Sequence, residues 1–141
     1  MSETTERPPG GDAGQASDGE RALILAVERD PHVRELEEHF LQQAGFDVEF
    51  AVDGQDALDR VRVRPPRIVI TEILLPKLDG LALCRKLKAE PATSGISVLV
   101  FSILAATARA REAGADAFLM KPLAERRLLD TVKGLLEART Q

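Results

Sequence analysis

The sequence predicts an α/β fold: a doubly wound, five-stranded parallel sheet with helices on both faces. Two observations point to it. Short apolar runs alternate strictly with amphipathic stretches, and most of the helical stretches end at a glycine or a proline. Strands that are covered on both faces are expected to be continuous apolar runs, and parallel neighbours need a helical crossover between them. With 141 residues and no internal repeat, one domain is expected.

The first half of the chain supplies three strands separated by two helices. The strands are short and apolar or alternating, and we place them at Leu23–Val27, 46–50 and 68–75. The first helix ends at Gly45, and its apolar residues at helical spacing are Val33, Leu36, Phe40 and Leu41. The second helix ends before the Pro65-Pro66 pair, and its apolar residues are Ala57, Leu58 and Val61.

The second half repeats the pattern with two strands and three helices. Strands are predicted at 97–101 and Ala117–Met120, and a short helix at 105–113 ends at Gly114. The third helix ends at Pro91, and its inward residues are Leu83, Cys84 and Leu87. The last helix has a clear apolar stripe formed by Leu128, Leu129, Val132, Leu135 and Leu136.

Composition excludes several classes of function. Residues 1–20 are rich in Gly, Pro, Ser, Thr and acids and carry the whole net charge of −4, so we expect a disordered acidic tail, a solvated leader rather than an interaction arm. The neutral remainder has no basic stripe, which argues against a nucleic-acid partner. No apolar run suits a membrane span or a signal peptide, so we expect no membrane partner and a cytoplasmic protein.

Polar residues cluster where the predicted strands end, which is where open α/β sheets gather their function. The four strand-end segments read Glu28-Arg29-Asp30-Pro31, Thr71-Glu72-Ile73, Phe101-Ser102-Ile103 and Phe118-Leu119-Met120-Lys121-Pro122.

With these segments the chain resembles the receiver domain of two-component response regulators, and we take residues 21–139 as a receiver-like domain. The resemblance is carried by four motifs in order: Asp53-Gly54-Gln55-Asp56-Ala57-Leu58, Leu75-Pro76-Lys77-Leu78-Asp79-Gly80, Ala113-Gly114-Ala115-Asp116 and Lys121-Pro122. It implies a flavodoxin-like strand order of 2-1-3-4-5 and a cis peptide bond before Pro122.

The resemblance also implies roles for the strand ends. In that family an aspartate after the third strand accepts a phosphoryl group from a histidine kinase, and an acidic pair after the first strand holds Mg²⁺. Glu72 stands at the phosphoacceptor position, and Glu28 and Arg29 stand at the acidic pair. Ser102 and Lys121 match the hydroxyl and the lysine that hold the phosphate, and the switch aromatic is Phe118.

Three departures predict that the phosphorylation chemistry is lost. The Glu72 carboxylate lies one methylene further out, a shift on the order of 1.5 Å. Arg29 has no lone pair for a cation, so we expect no metal and no Mg²⁺ cofactor. Ile103 is expected to crowd the approach to the site. In addition, the segment from Ser102 to Lys121 is about three residues shorter than in typical receivers, nearly one turn of the fourth helix.

Arg29 and Glu72 suggest a hypothesis for what replaces the metal. A fixed cluster of Glu72, Arg29 and Lys121 would neutralise itself, since the two substitutions compensate each other's charge. The alternative is that both side chains drifted into solvent. Glu72 would also be a partial mimic of phospho-aspartate, because it brings one negative charge where the modified residue brings about two. For Phe118 a plain core role is favoured over a switching role.

The functional expectation is a phosphorylation-independent receiver that binds a protein partner, as a monomer or weak homodimer. The expected contact face is the fourth helix, fifth strand and fifth helix, and its candidate polar residues are Arg109, Arg111, Arg126 and Arg127. The rival is a working phosphotransfer receiver with a non-standard acceptor. A Ser102–Lys121 nucleophile would need an oxyanion hole, so we expect no enzyme and no catalytic residues. The sequence ends soon after the fifth helix, so no output domain is expected within it.

Overall fold

A parallel sheet of five strands organises the protein in the computed structural model, which describes residues 21–139. The strands are β1 (Leu23–Val27), β2 (Asp47–Ala51), β3 (Ile68–Thr71), β4 (Ser97–Ser102) and β5 (Ala117–Met120). The helices are α1 (Pro31–Gln43), α2 (Gly54–Val63), α3 (Gly80–Ala89), α4 (Thr107–Glu112) and α5 (Glu125–Arg139). All neighbouring strands are parallel, and their order is β2-β1-β3-β4-β5. The predicted fold class and strand order are confirmed.

Each face of the sheet carries its own hydrophobic cluster. Successive residues of β1 alternate between them: Leu25 joins the cluster under α2, α3 and α4, whereas Ile24 joins the cluster under α1 and α5. Every residue of β1, β3 and β4 is buried, which explains their unbroken apolar runs. The predicted tail at 1–20 lies outside the described residues. Within the described part of the chain, no helix is long and apolar enough to cross a bilayer.

The third strand is shorter than predicted. The sequence favoured a strand over 68–75, but β3 ends at Thr71. The Glu72 carboxylate accepts hydrogen bonds from the backbone N–H groups of Ile73 and Leu74, and these amides are therefore not free to pair with a neighbouring strand. The chain turns at this point and leaves Glu72 at the edge of the sheet.

The first helix also differs from its predicted face. Leu36, which we placed on the apolar stripe, is 44% exposed, whereas Glu37 is 1% exposed. Glu37 lies four residues from both Val33 and Leu41, and these two pack into the cluster under α1 and α5. The helix therefore buries a carboxyl group within an apolar face.

The two Asp-Gly pairs of the motifs have a packing role. Asp53 and Asp79 cap α2 and α3, because their side chains accept hydrogen bonds from backbone N–H groups three residues later. A Cβ on Gly80 would lie 2.0 Å from the carbonyl oxygen of Glu72, and one on Gly54 would lie 1.9 Å from that of Leu78. Only glycine allows these approaches, which hold the β3–α3 loop against neighbouring backbone.

Candidate functional site

Four polar side chains from four strands meet at the carboxyl edge of the sheet. Glu28 follows β1, Glu72 follows β3, Ser102 ends β4 and Lys121 follows β5. Glu28, Glu72 and Ser102 are 2%, 5% and 0% exposed, and the Lys121 side chain is 12% exposed. Because parallel strands end at the same edge, residues far apart in sequence converge here. We call these four residues the strand-end cluster.

Lys121 bridges the two carboxylates of the cluster. Its Nζ lies 3.0 Å from Oε1 of Glu28 and 3.0 Å from Oε1 of Glu72, and it also donates to Oε2 of Glu28 at 3.1 Å. The ammonium stands over the ring of Phe101, 5.6 Å from its centroid. The peptide bond between Lys121 and Pro122 is cis, as the resemblance implied.

The Glu72 carboxylate contacts four donors. Its Oε2 accepts the Ser102 hydroxyl and the N–H groups of Ile73 and Leu74 at 2.5 and 3.1 Å, while its Oε1 faces Lys121. Burial alone would raise the pKa of Glu72, but the hydrogen bonds from Ser102, Leu74 and Lys121 hold it below the usual 4.5. Glu72 is therefore an anion at neutral pH.

Lys121 is also charged. Burial would lower the pKa of its ammonium, but the hydrogen bonds and charges of Glu28 and Glu72 hold that pKa above the usual 10.5. With one ammonium against two carboxylates, Lys121 neutralises half of the negative charge in the cluster.

Glu28 is held by the start of α1. Its Oε2 accepts the backbone N–H of Asp30 at 3.1 Å, and Asp30 in turn caps α1 by accepting the N–H of His32 at 2.9 Å. Arg34 donates from the first turns of α1 to the carbonyl oxygens of Glu28 and Arg29, at 2.9 and 3.0 Å. This network fixes the turn between β1 and α1.

Arg29 does not join the cluster, and that part of the predicted Glu72–Arg29–Lys121 arrangement is wrong. The residue is exposed, and its side chain forms no ion pair within the described part of the chain. Glu28 is buried at the end of β1 and Arg29, the next residue, faces solvent, as neighbouring side chains on an extended chain point to opposite sides. The observed partner of Lys121 and Glu72 is Glu28.

Ile103 and Phe118 have different surroundings. Ile103 is 60% exposed and lines an open surface cleft with Lys121 and Pro122. It therefore lies on the surface, and its bulk is not packed into the core. Phe118 is partly buried and packs against the hydrophobic cluster under α2, α3 and α4; its core role remains a prediction.

Sequence reasoning missed Glu37. Its Oε1 has no hydrogen-bond partner among the described residues. Burial, with a smaller contribution from the Glu28 charge, raises the pKa of Glu37 from 4.5 to about 8 against the opposing charges of Lys121 and Arg34. The available signal was its spacing of four residues from Val33 and from Leu41.

Comparison with known proteins decides the family. The family model of the response regulator receiver domain matches residues 24–133. The chain belongs to the response regulator receiver domain family. Protein PilG of Pseudomonas aeruginosa is 32% identical over 122 residues, which cover 84% of this chain and 89% of PilG. The signal receiver domain of a signal transduction histidine kinase from Syntrophus aciditrophicus superposes with a TM-score of 0.79 and 35% identity, covering 83% of this chain and 91% of that chain.

Other relatives of this receiver domain are longer proteins. Response regulator MprA of Mycolicibacterium vanbaalenii is 36% identical over 118 residues, which cover 83% of this chain and 51% of MprA. The gliding motility regulatory protein of Myxococcus xanthus is 37% identical over 110 residues, which cover 76% of this chain and 14% of that protein. The chain thus spans about half or less of the length of these relatives. Receiver domains are signalling modules of two-component systems that interact with proteins such as kinases and effectors.

The residues of this receiver domain do not fit the magnesium ion that the family implies. Glu28 and Glu72 both present a carboxylate oxygen to the Lys121 ammonium at 3.0 Å, so a divalent cation between them would lie beside a positive charge. Arg29, at the other position of the acidic pair, supplies no lone pair. Among the residues that the structure describes, no group of three or more His, Cys, Asp or Glu side chains is arranged to hold a metal ion.

Proposed function

We propose that this receiver domain signals without being phosphorylated and acts by binding another protein, with Glu72 as a permanent anion in place of the phosphoryl group. One observation carries the proposal. The Ser102 hydroxyl and the Lys121 ammonium, which the family uses to hold phosphoryl oxygens, both contact the Glu72 carboxylate. The longer side chain of glutamate lets its carboxylate reach these donors.

The hydrogen bonds of Glu72 also argue against its acting as a phosphoacceptor. A carboxylate must direct one free lone pair in line with the incoming phosphorus. Here Oε2 accepts three hydrogen bonds, which leaves only Oε1 for the incoming phosphorus, and Oε1 already pairs with Lys121. Among the described strand-end residues, Glu28 and Glu72 are the acids that could hold a metal bringing the donor phosphate to this edge, and Lys121 already contacts both.

The single charge of Glu72 makes the mimicry partial, because a phosphorylated side chain carries about −1.5 to −2 at pH 7. A fixed but weaker anion is expected to hold Ser102 and Lys121 in one arrangement. It would give the domain a constant output in place of one that a kinase turns on and off.

We place the partner on the face formed by α4, β5 and α5. Strand β5 is the edge of the sheet, and α4 is a helix of only six residues, which leaves this side of the domain open. Four exposed arginines lie on these helices, and they are Arg109, Arg111, Arg126 and Arg127. The domain is proposed to work in the cytoplasm as a monomer or a weak homodimer.

Intact-mass spectrometry after incubation with acetyl phosphate and Mg²⁺ tests the proposal. We expect no phosphoryl adduct on the native protein, and no response to beryllium fluoride with Mg²⁺. Glu72→Asp alone is expected not to restore Mg²⁺ binding, because Arg29 still leaves the acidic pair incomplete. The matched variant is Glu72→Asp with Arg29→Asp, which rebuilds both acidic positions and is the candidate for recovery.

A phosphoryl adduct on the native protein would support the rival function, a phosphotransfer receiver with a non-standard acceptor. The likeness to response regulator MprA and the retained Ser102 and Lys121 favour that rival. Peptide mapping of the adduct would then identify the acceptor. Recovery of Mg²⁺ binding by Glu72→Asp alone would show that Arg29 matters less than proposed.

A further inference from the structure

Glu37 is a buried carboxyl group without a role in the strand-end cluster. It is 1% exposed in the middle of α1, and its Oε1 meets no hydrogen-bond donor in the described part of the chain. An ionised carboxylate in such a place is disfavoured, since burial strips most of its water and its Oε1 has no donor in the described part of the chain. The neutral acid is therefore the form that the folded protein favours.

The charged groups that act on Glu37 come from three elements. Glu28 acts from the end of β1, Lys121 from the end of β5, and Arg34 from one turn earlier on α1. From α5, the inward side chains of the same hydrophobic cluster are the apolar Leu128 and Val132. Two of these charged groups, Glu28 and Lys121, belong to the strand-end cluster. The Arg34 guanidinium already donates hydrogen bonds to the carbonyl oxygens of Glu28 and Arg29.

We propose that the protonation of Glu37 controls which carboxylates Lys121 contacts, so that the strand-end cluster responds to pH. With Glu37 neutral, Lys121 bridges Glu28 and Glu72 as the structure shows. When Glu37 loses its proton to solvent, a third carboxylate shares a single ammonium. Lys121 is then drawn towards Glu37, and its contact with Glu72 weakens.

The direction of the change follows from charge. Loss of one proton makes the group of Glu28, Glu37, Glu72 and Lys121 more negative by one unit in a site closed to water, where like charges repel strongly. Glu72 keeps the hydrogen bonds from Ser102, Ile73 and Leu74, so the proposal assigns the movement to Lys121. A raised pKa of Glu37 brings this event close to physiological pH.

Carboxyl and lysine side-chain NMR over pH 4 to 10 tests the proposal on the intact protein. We expect the Cδ resonance of Glu37 to titrate several pH units above 4.5. The Cε resonance of Lys121 and the Cδ resonance of Glu72 should shift with the same midpoint. Glu37→Gln should abolish this shared transition, whereas Glu38→Gln, which alters the exposed neighbour on α1, should leave it unchanged.

Two results would overturn the proposal. One is a Glu37 resonance that titrates near 4.5 in the native protein. The other is a pair of Lys121 and Glu72 resonances that stay flat through the Glu37 transition, or that keep their transition in Glu37→Gln. Because the native protein alone can give the first result, the test does not depend on the folding of a variant. It uses no phosphodonor, and its outcome is therefore independent of the proposed function.

Discussion

Replacing Lys121 with methionine removes the charge of the strand-end cluster and keeps much of the side-chain length. Methionine can still pack its unbranched stem over Phe101, so little packing energy is lost. What disappears is the ammonium that lies 3.0 Å from both Glu28 and Glu72. Two buried carboxylates would then face each other with no cation between them.

The expected cost of Lys121→Met is about 3–5 kcal/mol at pH 7, the range for breaking a buried ion pair by removing one partner. Loss of the contact with the Phe101 ring adds roughly 0.5–1 kcal/mol. The sign of the pH dependence is also fixed. Without Lys121 the folded-state pKa of Glu72 rises, so the penalty is largest above pH 4.5 and declines as the pH falls and buried carboxylates take up protons.

Chemical denaturation at pH 7 and pH 4 measures both effects for native protein and Lys121→Met. The matched control is Lys77→Met. Lys77 is 71% exposed, and its Nζ lies 3.7 Å from the Asp53 carboxylate, so this ion pair is long and weak. A change in the free energy of unfolding within about 1 kcal/mol is expected there. A loss below about 1 kcal/mol for Lys121→Met, or a deficit that does not shrink at pH 4, would refute the reasoning about the cluster.

Three further predictions address other parts of the molecule. Arg29→Ala should change the free energy of unfolding by less than about 0.5 kcal/mol in denaturant titrations, because the side chain is exposed; a loss above 2 kcal/mol would restore Arg29 to the cluster. Gly80→Ala should cost more than about 2 kcal/mol, since the new Cβ would lie 2.0 Å from the Glu72 carbonyl oxygen. Gly134→Ala, where nothing lies within 4 Å of the new Cβ, should instead stabilise the protein through α5 by about 0.5–1 kcal/mol in the same denaturant titrations. Because the pKa of Glu37 rises from 4.5 to about 8 on folding, native stability from this group is present below pH 4.5 and is lost by about pH 8. Glu37→Gln should therefore gain stability relative to native protein over this range, by up to about 5 kcal/mol at about 1.4 kcal/mol per pKa unit, and equal slopes of stability against pH would contradict this.

The fold could be predicted from the sequence because its signals are local and repeated. Each buried strand is a short apolar run, and the helices before Gly45 and Gly114 end where a glycine adopts a positive φ. These signals do not depend on which residues meet in space. The exception is the end of β3, where a single side chain, Glu72, binds the amides that would have extended the strand.

The site was predicted in part, and both errors concern which of two neighbouring side chains points inward. Sequence position identified Glu28, Glu72, Ser102 and Lys121 as strand-end residues, and the parallel topology brings them together. It did not tell which of the neighbours Glu28 and Arg29 points inward, because their exposure depends on the turn into α1. It likewise did not tell that α1 turns Glu37 rather than Leu36 towards the core. A rotation of about 100° per helical residue separates these two positions.

The cation of the strand-end cluster is the Lys121 ammonium, which is covalently part of the chain, unlike a magnesium ion. A magnesium ion exchanges with solvent, so a receiver that uses one is sensitive to metal and to a phosphodonor. Lys121 belongs to the chain and stays charged through neutral pH, so its charge does not depend on the concentration of metal or of phosphodonor. The proton is a further exchangeable species, and the raised pKa of Glu37 brings its titration close to the neutral range. On the two proposals above, Glu72, Lys121 and the buried Glu37 belong to one arrangement, in which charges fixed in the chain take the place of exchangeable ligands.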